Sequence, residues 1–90
     1  MTQPFNQLPA PQQAGILCND PRFQRFAATR QGWPGQQFNN SASAEYLRQV
    51  CGIKDRSVLA SNRLARHRFE VLKTEFDAWT RKFARLEGLR

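Results

Sequence analysis

Residues 62–86 read NRLARHRFEVLKTEFDAWTRKFARL and decide the fold of this chain. Apolar residues recur there at alternating intervals of four and three, with no proline or glycine before Gly88. This spacing places them on one side of an α-helix as a heptad-like seam. The seam consists of Ala65, Phe69, Leu72, Phe76, Trp79, Phe83 and Leu86. We therefore predict a helix about 36 Å long, one end of which projects from a domain this small.

Proline and capping residues divide the chain that precedes this helix. Pro11 suits the first turn of a helix over 11–18, because a proline loses nothing at a helix start. Asp20 can cap the next helix, over 21–30, with Pro21 as its first residue. Two shorter helices in succession are therefore predicted before the first loop.

A third helix is predicted over 41–51. Asn40 and Ser41 are both good N-caps, and Gly52 can end the helix in the left-handed conformation. A further short turn is predicted over 56–60. These shorter elements have to supply the cover for the long seam.

The seam can be covered within one chain or by a second copy. The shorter helices present the apolar residues Phe23, Phe26, Tyr46, Leu47 and Val50 on one face each. We expect these to cover the seam, because Phe76, Trp79 and Phe83 are too bulky for a regular two-stranded coiled coil. A homodimer through the projecting end of the long helix is the alternative.

The predicted fold class is all-α, a compact bundle of about four helices with a long C-terminal helix. Residues 1–10 combine prolines with Gln and Asn and carry little apolar surface. Such a segment cannot offset its ordering entropy by burial, so a disordered N-terminal arm is predicted. Residues 11–90 then form a single helical domain, and no convincing β-type alternation occurs.

The chain is strongly basic, with a net charge of +7 at pH 7. Residues 1–40 hold three Arg against one Asp, whereas residues 41–90 hold eleven Lys or Arg against six Asp or Glu. A basic excess favours association with nucleic acid or with acidic protein surfaces. The sequence has no long apolar run and no signal-peptide pattern, so we expect a cytoplasmic protein with no membrane partner.

The long helix carries basic residues at both ends, and Arg63, Arg81 and Arg85 lie opposite its seam. The candidate nucleic-acid contacts are Arg63, Arg66, Arg68, Arg81, Lys82 and Arg85. The two clusters lie about 27 Å apart along the helix. A helix with basic ends and an apolar back is suited to lie along a phosphate backbone. An ordinary solvated face, interrupted by Glu70 and Asp77, is the alternative interpretation.

No catalytic motif is recognisable. The chain has one histidine, no glycine-rich phosphate loop, and no Ser or Cys tied by a motif to a base. Glu70 and Asp77 share a helix face, but Lys73 and Arg81 follow them at ion-pairing distance, which favours surface ion pairs. We therefore expect neither enzymatic activity nor a cofactor.

The two cysteines, Cys18 and Cys51, each lie within an apolar helical pattern. A thiol in that position packs as a small hydrophobic group, and a disulfide would need an oxidising compartment. Buried free thiols are therefore predicted. Together with His67, these cysteines lack the spacing of metal ligands, so no metal site is expected.

Three aromatic residues are candidate anchors for a protein partner. Trp33 and Phe38 lie in a loop, QGWPGQQFNN over residues 31–40, whose glycines and proline forbid regular structure. They can fold back over the thin core, or they can remain exposed and anchor a partner. Trp79 on the long helix is the third candidate.

A resemblance to a known group of proteins rests on five segments of the sequence: Ala14–Cys18 (AGILC), Arg22–Ala27 (RFQRFA), Ala44–Arg48 (AEYLR), Val50–Lys54 (VCGIK) and Phe76–Trp79 (FDAW). Together they resemble small uncharacterised proteins of bacteriophages and prophages, often encoded near recombination or replication genes. The resemblance covers most of residues 14–80 and is weakest over residues 55–68. It carries no catalytic or binding residues, and it implies a viral accessory protein that acts in the cytoplasm of the host cell.

Two functions from different classes are compatible with such a protein. The first is non-enzymatic binding of DNA or a nucleoprotein complex through the basic helix. The alternative is an anti-CRISPR-like inhibitor of a host nuclease or nucleic-acid-guided defence complex, acting by protein–protein contact. The positive charge argues against mimicry of DNA phosphates, but it is compatible with docking on an acidic patch of a host defence protein.

Overall fold

A computed structural model describes the backbone of residues 4–88 and the side chains of residues 4–82. This part of the chain contains four α-helices: α1 (Ala10–Asn19), α2 (Pro21–Arg30), α3 (Asn40–Cys51) and α4 (Arg63–Gly88). Two short 3-10 helices, Phe5–Gln7 and Arg56–Ala60, precede α1 and α4. No strand occurs within residues 4–88. The predicted all-α fold with a long C-terminal helix is confirmed.

Asp20 is the single residue between α1 and α2. Its carboxylate accepts a hydrogen bond from the backbone N–H of Arg22 at 2.8 Å and pairs with the Arg22 guanidinium at 3.0 Å. Pro21 follows as the first residue of α2, as predicted. Partial burial acts to raise the pKa of Asp20, but the interactions with Arg22 outweigh it and hold that pKa below its ordinary value.

Asparagine side chains cap the N-termini of α3 and α4. The carboxamide oxygen of Asn39 accepts the N–H of Ala42 at 2.8 Å, and that of Asn62 accepts the N–H of Ala65 at 2.9 Å. The cap of α3 therefore lies one residue before Asn40, the earlier of the two predicted candidates. Each cap satisfies a backbone donor that the first turn of the helix leaves unpaired.

Gly52 ends α3 in the left-handed conformation, with φ of 70°. The N–H groups of Gly52 and Ile53 bond to the carbonyls of Gln49 and Arg48, at 3.3 and 3.0 Å. This is the Schellman arrangement of a helix C-terminus. A Cβ at this position would also run into the guanidinium of Arg68 from α4. The left-handed backbone conformation therefore favours glycine here, and a larger residue would also have to displace the guanidinium of Arg68.

The 26 residues of α4 make it about 39 Å long, close to the 44 Å longest dimension of the molecule. Its seam residues are buried over the described side chains, with 0–8% exposure for Ala65, Phe69, Leu72 and Phe76. Trp79 is half-buried and packs against the same core. The side chains of Phe83 and Leu86 lie outside the described residues.

The centre of the core is a cluster of aromatic rings from three helices. Phe26 of α2 lies 5.4 Å from Phe76 and 5.7 Å from Trp79, both in α4, and 6.3 Å from Tyr46 in α3. Phe23 meets Phe76 edge-on at 5.3 Å. The prediction that shorter helices cover the seam within one chain is thereby confirmed for its described part.

The segment before α1 contacts the core through Phe5. The Phe5 ring packs against the core, and the ammonium group of Lys73 lies 5.8 Å from its centroid. The carbonyl of Leu8 accepts a hydrogen bond from the buried Gln13 side chain at 2.8 Å. Two residues of the predicted disordered arm, Phe5 and Leu8, therefore have partners on α4 and α1 respectively. Residues 1–3 lie outside the described residues.

Replacing Phe26 with Ala is expected to destabilise the fold by about 3–5 kcal/mol, because its fully buried ring contacts four other aromatic rings. Trp33→Ala is the control, since Trp33 is 61% exposed, and we expect it to change stability by no more than about 0.5 kcal/mol. Urea denaturation followed by circular dichroism measures both. Equal losses in the two variants would contradict this account of the core.

Candidate nucleic-acid interface

Arg63, Arg66 and Arg68 are exposed on the first two turns of α4. Within the described part of the chain, none of the three forms an ion pair. Their directions diverge, since helical geometry separates Arg66 from Arg68 by about 160° around the axis. Arg68 turns toward α3, where its guanidinium packs against Gly52. The first predicted cluster is therefore exposed and unpaired, but it wraps around the helix rather than lying on one face.

The second predicted cluster is less available. Arg81 pairs with Asp77 one turn earlier at 2.8 Å. Lys82 is exposed and has no ion-pair partner among the described residues. The Arg85 side chain lies outside the described residues. Together with the separation of about 27 Å, this pairing keeps the two clusters from forming one continuous basic surface.

In the middle of α4, acidic side chains pair with nearby cations. Glu70 lies 2.7 Å from the ammonium group of Lys73, which also donates a hydrogen bond to Gln13 at 2.6 Å. Glu75 lies 3.9 Å from the guanidinium of Arg30 on α2. The predicted pairing of Glu70 and Asp77 with basic residues on their own helix is confirmed. Since each acid pairs with a cation, Glu70 and Asp77 do not form a pair of free carboxylates.

A further basic group, absent from the predicted contacts, lies where α3 leads into the second 3-10 helix. Arg48, Lys54 and Arg56 line a cavity of about 380 Å³ together with Cys18 of α1. None of the three cations forms an ion pair within the described residues. Arg48 is half-buried, whereas Lys54 and Arg56 are exposed. The fold thus brings together cations from two elements and the loop between them.

Asp55 is the carboxylate beside this cavity. It caps the second 3-10 helix by accepting the backbone N–H of Ser57 at 3.0 Å. That hydrogen bond is the main reason that the pKa of Asp55 lies below its ordinary value, and the nearby Arg56 and Arg48 lower it further. Since three cations face one carboxylate, the cavity keeps a positive balance.

The orientation of Arg56 depends on Gly15 in α1. A Cβ at Gly15 would collide with the guanidinium of Arg56, so the arginine lies directly on the backbone of α1. In the sequence, Lys54 and Arg56 follow the helix-ending Gly52 within four positions. These two closely spaced cations are the sequence signal for the basic group at the cavity, although their spacing by itself predicts only a turn.

Both cysteines are buried free thiols, as predicted. Burial raises the pKa of Cys51 to about 11. Burial also raises the pKa of Cys18, although Arg56 and Arg48 partly oppose the effect. Because the thiolate is the reactive form of cysteine, neither thiol is set up as a nucleophile at neutral pH.

The three predicted aromatic anchors differ in exposure. Trp33 is 61% exposed in the loop between α2 and α3. Phe38 is half-buried and packs against the core, where its backbone N–H bonds to the carbonyl of Gln24 at 3.2 Å. Trp79 packs against Phe26. Of the three, Trp33 is therefore the residue best placed to insert into a pocket on a partner protein.

No protein-family model matches the chain, and searches of curated proteins and of solved structures find no similar protein. Among the described residues, no group of three His, Cys, Asp or Glu side chains is arranged to hold a metal ion. None of the helices in this part of the chain is both long and apolar enough to cross a membrane.

We expect the thiol of Cys51 to react slowly in the folded protein at pH 8 and rapidly in urea. Its folded pKa of about 11 exceeds the ordinary value of 9.0, so deprotonation favours the unfolded chain. The stability that the protonated thiol contributes is therefore present below pH 9 and is lost as the pH rises toward 11. Thiol-reagent kinetics on the Cys18→Ala variant isolate Cys51. Labelling of the folded protein as fast as of the unfolded chain would disprove its burial.

Proposed function

We propose that this protein is a non-enzymatic accessory protein of a bacteriophage or prophage that binds DNA or a nucleoprotein complex in the host cytoplasm. The viral part of the proposal rests on the sequence resemblance. The nucleic-acid part rests on one structural observation, the concentration of unpaired cations in the stretch of chain from Arg48 to Arg68.

Ion pairing is distributed unevenly over the described residues. The paired cations are Arg22, Arg30, Lys73 and Arg81, and all of them lie on α2 or on the middle and later turns of α4. Residues 48–68 contain six Lys or Arg and a single acid, Asp55. None of those six cations forms an ion pair within the described part of the chain. We name them the basic junction: Arg48, Lys54, Arg56, Arg63, Arg66 and Arg68.

Unpaired cations suit phosphate binding better than paired ones. A cation that already contacts a carboxylate has to lose that contact before it can neutralise a phosphate, which cancels part of the gain. The basic junction has no such contacts to break. The positive end of the α4 dipole lies in the same region and adds to the attraction. The proposal therefore centres binding on the junction between α3 and α4, with Lys82 at the periphery.

Affinity for duplex DNA is expected to fall steeply with salt if the basic junction binds phosphates. Four to six contacts correspond to a slope of log affinity on log salt of about −3.5 to −5.5. The triple variant Arg63→Gln, Arg66→Gln, Arg68→Gln is expected to reduce the magnitude of this slope by up to about 2.7 and to weaken binding to all sequences alike. Fluorescence anisotropy at several salt concentrations measures the slope.

A matched control removes the same charge from paired positions: Arg22→Gln, Arg30→Gln and Arg81→Gln. We expect a smaller change in the slope, because these guanidinium groups already contact carboxylates. Equal changes in the two triple variants would show that net charge, and not the basic junction, governs binding. Failure of the wild-type protein to bind DNA or RNA below about 100 μM at low salt, weaker than ordinary non-specific binding, would overturn the nucleic-acid proposal.

The exposure of Trp33 favours a second candidate, inhibition of a host nuclease or nucleic-acid-guided defence complex. Tryptophan dominates many protein–protein interfaces, and a residue 61% exposed in a loop is free to fill a partner's pocket. Capture of host proteins before and after nuclease treatment separates the two functions. A partner that survives nuclease and is lost in Trp33→Ala would support inhibition, whereas a partner lost on nuclease treatment would support the first proposal.

A further inference from the structure

The cavity between α1, α3 and the second 3-10 helix has an apolar floor and a basic rim. Its floor includes Ala14, Cys18 and Leu47, each no more than 6% exposed. Its rim carries three cations and one carboxylate: Arg48, Lys54, Arg56 and Asp55. A volume of about 380 Å³ falls within the range of small-ligand pockets. The cavity is half-open to solvent and is large enough to admit a compact group.

The balance of charge around this cavity favours the binding of an anion. Arg48 is half-buried as a residue and forms no ion pair with a carboxylate among the described residues, so its guanidinium remains available to an anion. Asp55 is occupied in capping the 3-10 helix. Cys18 is protonated at neutral pH, because burial raises its pKa, and so it does not repel an anion.

We propose that this cavity binds a terminal phosphate group, the 5′-phosphate end of a nucleic acid. A phosphate monoester carries a charge of about −1.5 to −2 at pH 7 and several strong acceptor oxygens, which matches three cations opposed by one carboxylate. An internal phosphodiester carries a single charge and has a sugar on each side, which hinders its entry into a pocket. The remaining cations of the basic junction, on α4, would contact the strand that follows. This inference rests on the proposed function and specifies the ligand.

The same chemistry occurs in two sources, a nucleic-acid end and free phosphate, and two assays separate them. The first assay measures the affinity of one single-stranded oligonucleotide, labelled at its 3′ end, with either a 5′-phosphate or a 5′-hydroxyl. We expect the phosphorylated strand to bind about tenfold more tightly, a difference of about 1.4 kcal/mol. The double variant Arg48→Gln, Arg56→Gln is expected to abolish this preference.

The control for that variant is Arg25→Gln with Lys82→Gln. These two cations are also exposed and unpaired among the described residues, but they lie on α2 and on the later turns of α4. The control is expected to bind both oligonucleotides more weakly and to keep the tenfold ratio. Lys54→Gln, a change at an exposed position, serves as a second pocket variant should the double variant fail to fold.

The second assay measures the melting temperature in inorganic phosphate against chloride at matched ionic strength. We expect phosphate to raise the melting temperature of the wild-type protein and of the control by more than it raises that of the pocket variants, because exclusion of phosphate from the protein surface stabilises all of them alike. No such excess and no 5′-phosphate preference, with oligonucleotide binding intact, would overturn the pocket and leave the proposed function standing. An excess in the proteins with an intact pocket, without any oligonucleotide binding, would support a phosphate site. That result would overturn both the assignment of the site to nucleic-acid ends and the proposed function.

Discussion

The burial of the α4 seam against α2, α3 and the second 3-10 helix is the constraint on which the rest of the structure depends. Each large apolar side chain removed from water contributes about 1.5–3 kcal/mol, and the fully buried Phe69 and Leu72 lie at the middle of that contact. Phe26 links three helices through its ring contacts with Tyr46 and Phe76. Because a domain of this size has a thin core, the caps that begin the short helices add usefully to the stability that burial supplies.

This packing also decides where charge is available. Helical spacing alone places Glu70 and Asp77 beside cations of their own helix, whereas the packing of α2 on α4 brings Glu75 near Arg30. Four of the six acids with described side chains thus lie along the middle of α4 or at the α1–α2 corner. The junction between α3 and α4 is left with unpaired cations, so the surface most suited to an anion follows from the burial of the core.

The candidate site could be predicted only in part from the sequence. Arg63, Arg66 and Arg68 are close together in the sequence and lie on one helix, so periodicity was enough to find them. The cations of the cavity, in contrast, could not be grouped from the sequence, because Arg48 belongs to α3 and Arg56 to a separate 3-10 helix. Their convergence beside α1 depends on the path of the loop between them, which no spacing rule describes.

The sequence by itself determined the helices, most of their caps, the burial of both cysteines and the ion pairs within α4. All of these depend on residues a few positions apart, where helical geometry sets the distance. Only the tertiary structure decided that Arg68 packs on Gly52, that Arg56 lies against Gly15, and that Trp33 is exposed while Phe38 packs against the core. These outcomes depend on contacts between residues from different elements, and such contacts exist only after the helices have packed on the α4 seam.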